Sequence, residues 1–202
     1  PPGAPLYQMI GAFFAMFALD NSQVALMVNM MSVFSSAFTI LFIFWSTSML
    51  LRKVISQFST VNKDNSIAVL GSSFVASLAY TFSDSFWYNA VEAEVYAMAS
   101  LFIAALFWLG LRWEQDMDKP KGNRWLLIIS LVIGLSFGVH FMALLTIPSI
   151  GFLYYFKHYK TITIKNFIIA NVVVVSVLLF IFKLLLPMTM GFFGKTEVFM
   201  VN

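Results

Sequence analysis

Ser83-Asp84-Ser85-Phe86-Trp87-Tyr88-Asn89-Ala90-Val91-Glu92-Ala93-Glu94-Val95-Tyr96-Ala97 sets three of the chain's nine carboxylates against an apolar run that continues from Val95 to Leu111. As a helix, that run crosses most of a bilayer. The acids can be read in two ways. Asp84 and Ser85 can cap a helix whose first turns carry Glu92 and Glu94 beside the positive end of its dipole. Alternatively, because carboxylates at a membrane edge are costly, they border a water-filled functional cavity together with Trp87, Tyr88 and Tyr96. The cavity reading accounts better for so much charge in so apolar a chain.

Composition supports the membrane setting. The 202 residues are 60% hydrophobic and 10% charged, with a mean hydropathy of +0.87, whereas a soluble domain carries roughly 25% charged residues. The chain is therefore read as an integral membrane protein. It has no cysteine, which removes disulfides and thiolate metal sites. Its net charge of +3 is informative only through the distribution of Lys and Arg among loops, and no nucleic-acid partner is needed to explain it. Pro1 is not an initiator methionine, and no basic region with a cleavage site precedes the first apolar run. The chain is accordingly expected to be a single transmembrane domain fragment, 1–202, cut from something longer at both ends.

Upstream of the opening stretch, Leu6 to Leu19 is apolar but too short to span. Asp20-Asn21-Ser22-Gln23 breaks it, and Val24 to Leu51 follows as a span containing Asn29 and several serines, closed by Arg52 and Lys53. Ile67 to Phe82 carries Gly71, Ser72, Ser73, Ala76, Ser77 and Ala79, small residues that let helices approach closely in lipid. Downstream, Val91 to Trp113 is a further span, and Trp113 and Trp125 flank a polar loop as interfacial anchors. Trp125 to Phe156 suits neither one straight span nor two full ones, so two short helices with a break near Gly138-Val139-His140 are predicted. Asn166 to Leu186 is a last span, predicted to end before Pro187.

Loops 52–66, 112–124 and 157–165 hold ten of the twelve Lys and Arg, which places them together on the cytoplasmic side. Asp20, the 83–94 stretch and the Gly138–His140 break then share the outer side. Since the 24–51 helix must start outside, residues 1–19 are predicted to form an outer juxtamembrane helix, with the membrane-embedded helices at 24–186. The fold class is all-α: a polytopic transmembrane helical bundle of five or six embedded segments, without sheet.

Within this frame, Gly134-Leu135-Ser136-Phe137-Gly138 matches a nucleophile-elbow pattern but lacks the strand that pattern needs, and reads better as close Gly-xxx-Gly helix packing. Gly191-Phe192-Phe193-Gly194-Lys195-Thr196 is one residue short of a phosphate-binding loop. His140 sits at the predicted break, where it is either a satisfied structural donor or a polar member of the outer site. Glu92 and Glu94 lie about 200° apart on a regular helix, which puts Glu94 on a face with Trp87, Val91 and Met98, and Glu92 with Asn89 and Tyr96. Glu94 is the preferred cavity residue. No helix-spaced ligand pair such as Glu-x-x-His accompanies these groups, so no metal site is predicted.

Three blocks in matching order carry a family resemblance: Pro1-Pro2-Gly3-Ala4-Pro5-Leu6-Tyr7; Phe86-Trp87 with Ala90-Val91-Glu92-Ala93-Glu94-Val95-Tyr96-Ala97; and Gly134 to His140 running on to Ile147-Pro148. The chain resembles the bacterial members of a membrane family related to protein O-mannosyltransferases, with the GT-C glycosyltransferase fold. The resemblance implies a catalytic carboxylate in an Asp-Ser-Gly-Glu-like segment ahead of the Pro-Pro-Gly block, hence before Pro1 and outside the chain as given. It further implies a polyprenyl-phosphate-linked sugar as donor substrate and Ser or Thr of an exported protein as acceptor. The setting it implies is the bacterial inner membrane, with the site facing the periplasm.

The leading expectation is thus a glycosyltransferase moving a hexose such as mannose, with Trp87, Glu92, Glu94, Tyr96 and His140 as substrate-binding residues and no certain cofactor. The rival is a transporter or lipid-sugar flippase in which the same acids line a path. No inverted repeat is visible, and the polar residues gather at one face instead of the midplane, which favours the enzyme.

Overall fold

A computed structural model describes residues 3–58, 62–159 and 161–201. Pro1, Pro2 and Lys160, which figure in the expectations above, lie outside the described residues. Among those described, the chain is helical throughout, without a strand. It folds as two compact units, one running to Thr146 and the other starting at Ile147.

The first unit opens with α1 (Pro5–Ala15), where Pro at the first helical position sacrifices no hydrogen bond. It stops four residues short of the predicted Leu19. Phe17 and Ala18 close tight turns on Phe14 and Ala15, and the Asp20 carboxylate accepts from Ser22 N at 2.8 Å and Gln23 N at 3.2 Å. That local capping competes successfully with continued helix. The Ser22 hydroxyl and these amides hold the exposed Asp20 carboxyl below its usual range.

The 3-10 turn Asn21–Gln23 leads into α2 (Val24–Ile55), the central helix. Ser35, Thr39 and Ser48 donate back to the carbonyls of Met31, Ser35 and Phe44, each at 2.8 Å, which is how hydroxyls are tolerated in an apolar helix. Asn62 caps α3 (Lys63–Thr81) by accepting from Asn65 N. After a sharp bend of 68° comes α4 (Asp84–Val91).

α5 (Val95–Asp116) makes the most extensive packing with α2. At one end Met98 meets Met31; midway Trp108 lies 5.4 Å from both Phe42 and Trp45; at the other end Lys53 pairs with the buried Glu114. α6 (Arg124–Ser136) returns alongside α5, with the Trp125 indole edge-on to Trp108 and donating to Asp116 at 2.9 Å, and with Arg112 over its ring.

The connection between α5 and α6 is tight enough to test. A Cβ on Gly122 would lie 2.0 Å from the Asp116 carbonyl oxygen, next to Lys121 at φ 72°. Gly122→Ala is expected to destabilise the first unit by about 1–3 kcal/mol, read as a lower thermal midpoint in detergent. An unchanged midpoint would contradict the close approach.

The second unit holds most of α7 (Thr146–His158), then α8 (Ile164–Phe180) and α9 (Leu186–Val201). Gly151 lets α7 approach Val174, where a Cβ would lie 2.7 Å from the valine methyl, and Phe152 stacks on Phe167. The span predicted to end before Pro187 instead runs on to Val201. A π-turn at Ile181–Leu185 accommodates the proline, whose missing N–H and bulky ring a regular α-helix would not tolerate.

Three helices, Asn21–Ile55, Val95–Asp116 and Ile164–Val201, are long and apolar enough to cross a membrane. The bent pair Asp64–Thr81 with Asp84–Val91 qualifies as a fourth, and Arg124–Ser136 is apolar but shorter. The chain is an integral membrane protein by these spans. α1, at 11 residues, is too short to cross.

Candidate functional site

The site forms where three breaks in helical structure meet the first half of α2. The first break follows α6. Gly138, Val139 and His140 close successive turns on Leu135 and Ser136, and His140 then extends (φ −163°, ψ 143°) before the 3-10 turn Phe141–Leu145. Met142 N donates to His140 Nδ1 at 3.2 Å. A neutral imidazole whose Nδ1 accepts must carry its proton on Nε2, so His140 presents an N–H on its other side.

The second break is the start of α1. The first amides of a helix have no partner within it, and here Leu6 N and Tyr7 N donate to the Gly138 carbonyl at 2.8 and 3.2 Å. Gly138 permits this approach because a Cβ there would sit 2.6 Å from Leu6 Cβ. Val139 beside it is buried with Met31 and Met98, and Leu6, Tyr7, Ile10, Val95 and Phe102 pack around them.

The third break lies between α4 and α5, and it corrects the regular helix assumed from sequence. Glu92 ends α4, and Glu94 precedes α5 in extended conformation, with Glu94 N donating to the Glu92 carbonyl at 2.9 Å. The helical faces assigned to the two acids therefore do not exist. Nor does either carboxylate cap: the Glu94 side chain makes no capping hydrogen bond to α5, and Glu92 lies beyond the last turn of α4 instead of in the first turn of a helix.

These breaks bring Tyr96, in the first turn of α5, to a ring distance of 5.6 Å from His140. Glu94 lies close enough to Tyr7 for its charge to act on the phenol. Burial pushes the Tyr7 hydroxyl above its ordinary pKa, the neighbouring Ser32 hydroxyl opposes this, and Glu94 adds to the rise, so Tyr7 stays a neutral donor. Glu92 is one tight turn from Glu94. Trp87 is placed differently: half exposed, it stacks on Phe82 and lines a shallow groove with Phe82, Asp84 and Tyr88.

The elbow-like Gly134–Gly138 segment is no hydrolase site. Ser136 is fully buried and donates to the Ile133 carbonyl at 2.6 Å. Gly-xxx-Gly packing holds at Gly138 only, since nothing lies within 4 Å of a Cβ on Gly134.

Sequence reading missed one set of residues. Tyr7 Oη, Asn29 Oδ1, Ser32 Oγ and Ser36 Oγ are buried with no hydrogen-bond partner. Asn29, Ser32 and Ser36 recur at i, i+3 and i+7, one face of α2, and that spacing was the available signal.

The breaks thus set Tyr96 against His140 and leave Glu94 near enough to Tyr7 to act on its phenol. The chain belongs to the family of the protein O-mannosyl-transferase TMEM260 N-terminal domain, whose family model matches residues 1–163. The match covers α1, the Glu92–Tyr96 stretch and the Gly138–His140 break, and by its description the family is one of glycosyltransferases. No curated protein and no solved structure matches the chain.

Proposed function

We propose that this chain is the membrane part of a GT-C-type glycosyltransferase that moves mannose from a polyprenyl-phosphate donor to Ser or Thr of an exported protein, in a bacterial inner membrane with the site facing the periplasm. The observation that carries this reading is the meeting of the three family-bearing blocks: α1 is hydrogen-bonded to Gly138, and Tyr96 lies against His140.

In the reaction the acceptor hydroxyl oxygen attacks the anomeric carbon, the bond from that carbon to the phosphate oxygen breaks, and polyprenyl phosphate leaves. The hydroxyl proton passes to a carboxylate that the family resemblance puts ahead of Pro1. The residues of this chain position the reactants. His140 offers its Nε2–H to a phosphate oxygen, stabilising the charge that grows on the leaving group. Tyr96 lies against that ring, and Glu94 accepts from hydroxyls of sugar or acceptor.

The test is reconstitution of the full-length protein with polyprenyl-phosphate mannose and a Ser/Thr-containing peptide. Mannosylated peptide is the expected product. Movement of the lipid between leaflets with no peptide product would support the flippase instead.

A further inference from the structure

The unpartnered polar atoms of α1 and of the Asn29–Ser36 face of α2 have no role in the positioning just described. α2 shows that its hydroxyls can satisfy themselves, since Ser35, Thr39 and Ser48 all bond back to their own helix. Ser32 and Ser36 do not, although they are only 1% and 5% exposed. Asn29 Oδ1 on the same face and Tyr7 Oη of α1 are likewise buried and outside hydrogen-bond geometry; the Tyr7 and Ser32 hydroxyls lie near enough to act on one another without completing a bond. Buried polar groups are normally paired, so four together mark a place where a partner is brought from outside.

All four are neutral. They offer three hydroxyls and an amide oxygen, with no cation for a phosphate. Such a set suits a polyhydroxylated ring, which both donates and accepts at several positions. The cover is α1, too short to be anchored by crossing the membrane and held at its start by two amides on one carbonyl. We propose that Tyr7, Asn29, Ser32 and Ser36 form the subsite for the hexose of the lipid-linked donor, and that α1 lifts from α2 to admit it. This rests on the transferase reading and adds to it where the sugar is recognised.

The test compares binding of a short-chain polyprenyl-phosphate mannose with that of the same polyprenyl phosphate lacking sugar, using full-length protein in nanodiscs. Tyr7→Phe and Ser32→Ala should each weaken the sugar lipid about tenfold, as expected when a site built to bond hydroxyls loses one partner, and leave the sugarless lipid unchanged. Ser35→Ala, which removes a hydroxyl already satisfied by Met31, should change neither.

A second arm locks the cover. The chain has no cysteine, and a Cβ on Gly11 would lie 3.8 Å from a Val28 methyl, so a Gly11→Cys, Val28→Cys pair can bridge α1 to α2. Oxidised protein should lose sugar-lipid binding and regain it on reduction. Retained binding when locked, equal losses for both lipids, or a thermally stabilised Ser32→Ala with unchanged affinities would each overturn the subsite. Failure of the unaltered protein to bind either lipid would overturn the transferase reading, and the subsite with it.

Discussion

Glu94→Gln and His140→Ala, each made in the full-length protein, are expected to lower mannosyl transfer by about 100-fold, the scale on which positioned polar groups act in transfer reactions, while leaving the quantity of folded protein in the membrane nearly unchanged. Neither side chain has a structural duty large enough to explain such a loss. The Glu94 carboxylate caps no helix, and His140 contributes one hydrogen bond, from Met142 N to its ring. If folded protein fell in proportion to activity, both residues would be supports of the breaks and not members of a site. His140→Asn separates the cases further. A side-chain oxygen can still accept from Met142 N, so the turn survives while the distal N–H is lost.

Gly138→Val is expected to undock α1. Its Cβ would overlap Leu6 Cβ, and the displacement would break both amide bonds to the Gly138 carbonyl. Overpacking of this kind costs about 1–3 kcal/mol, and each lost hydrogen bond about 1 kcal/mol more. The expected readouts are a lower thermal midpoint, faster proteolysis within residues 5–15, and transfer reduced more than tenfold. Gly134→Val on the preceding helix is the control, because a Cβ there meets nothing within 4 Å. Equal effects of the two substitutions would remove Gly138 as the docking point.

How far these features were visible in the sequence depends on whether they are local. Helix positions followed from apolar run length, and the break at Gly138–His140 from a run of the wrong length for one span or two. The interruption at Glu92–Glu94 did not. No glycine or proline marks it, and continuous helical patterning on both sides hides a three-residue turn.

Pro187 misled in the opposite sense, since a π-turn is a cooperative adjustment of backbone that no single residue announces. The proximity of Tyr96 to His140 followed in outline from loop charge, which sent both to one end. The docking of Tyr7 on Ser32 did not, because a helix of 11 residues carries no periodic signal strong enough to say which face of α2 it meets.

The pairing of α2 with α5 fixes the parity of the path through the membrane. Because Met31 meets Met98 and Lys53 meets Glu114, the two helices point the same way. A chain that leaves one at its basic end and enters the other at its opposite end has to travel back in between. Only α3 and α4 are available for the return, and the 19 residues of α3 measure about 28 Å, close to the hydrocarbon thickness of about 30 Å. α3, with α4 bent 68° from it, therefore supplies the return. The segments following α2 and α5 thus open into one aqueous compartment, and the Glu92–Glu94 turn opens into the other.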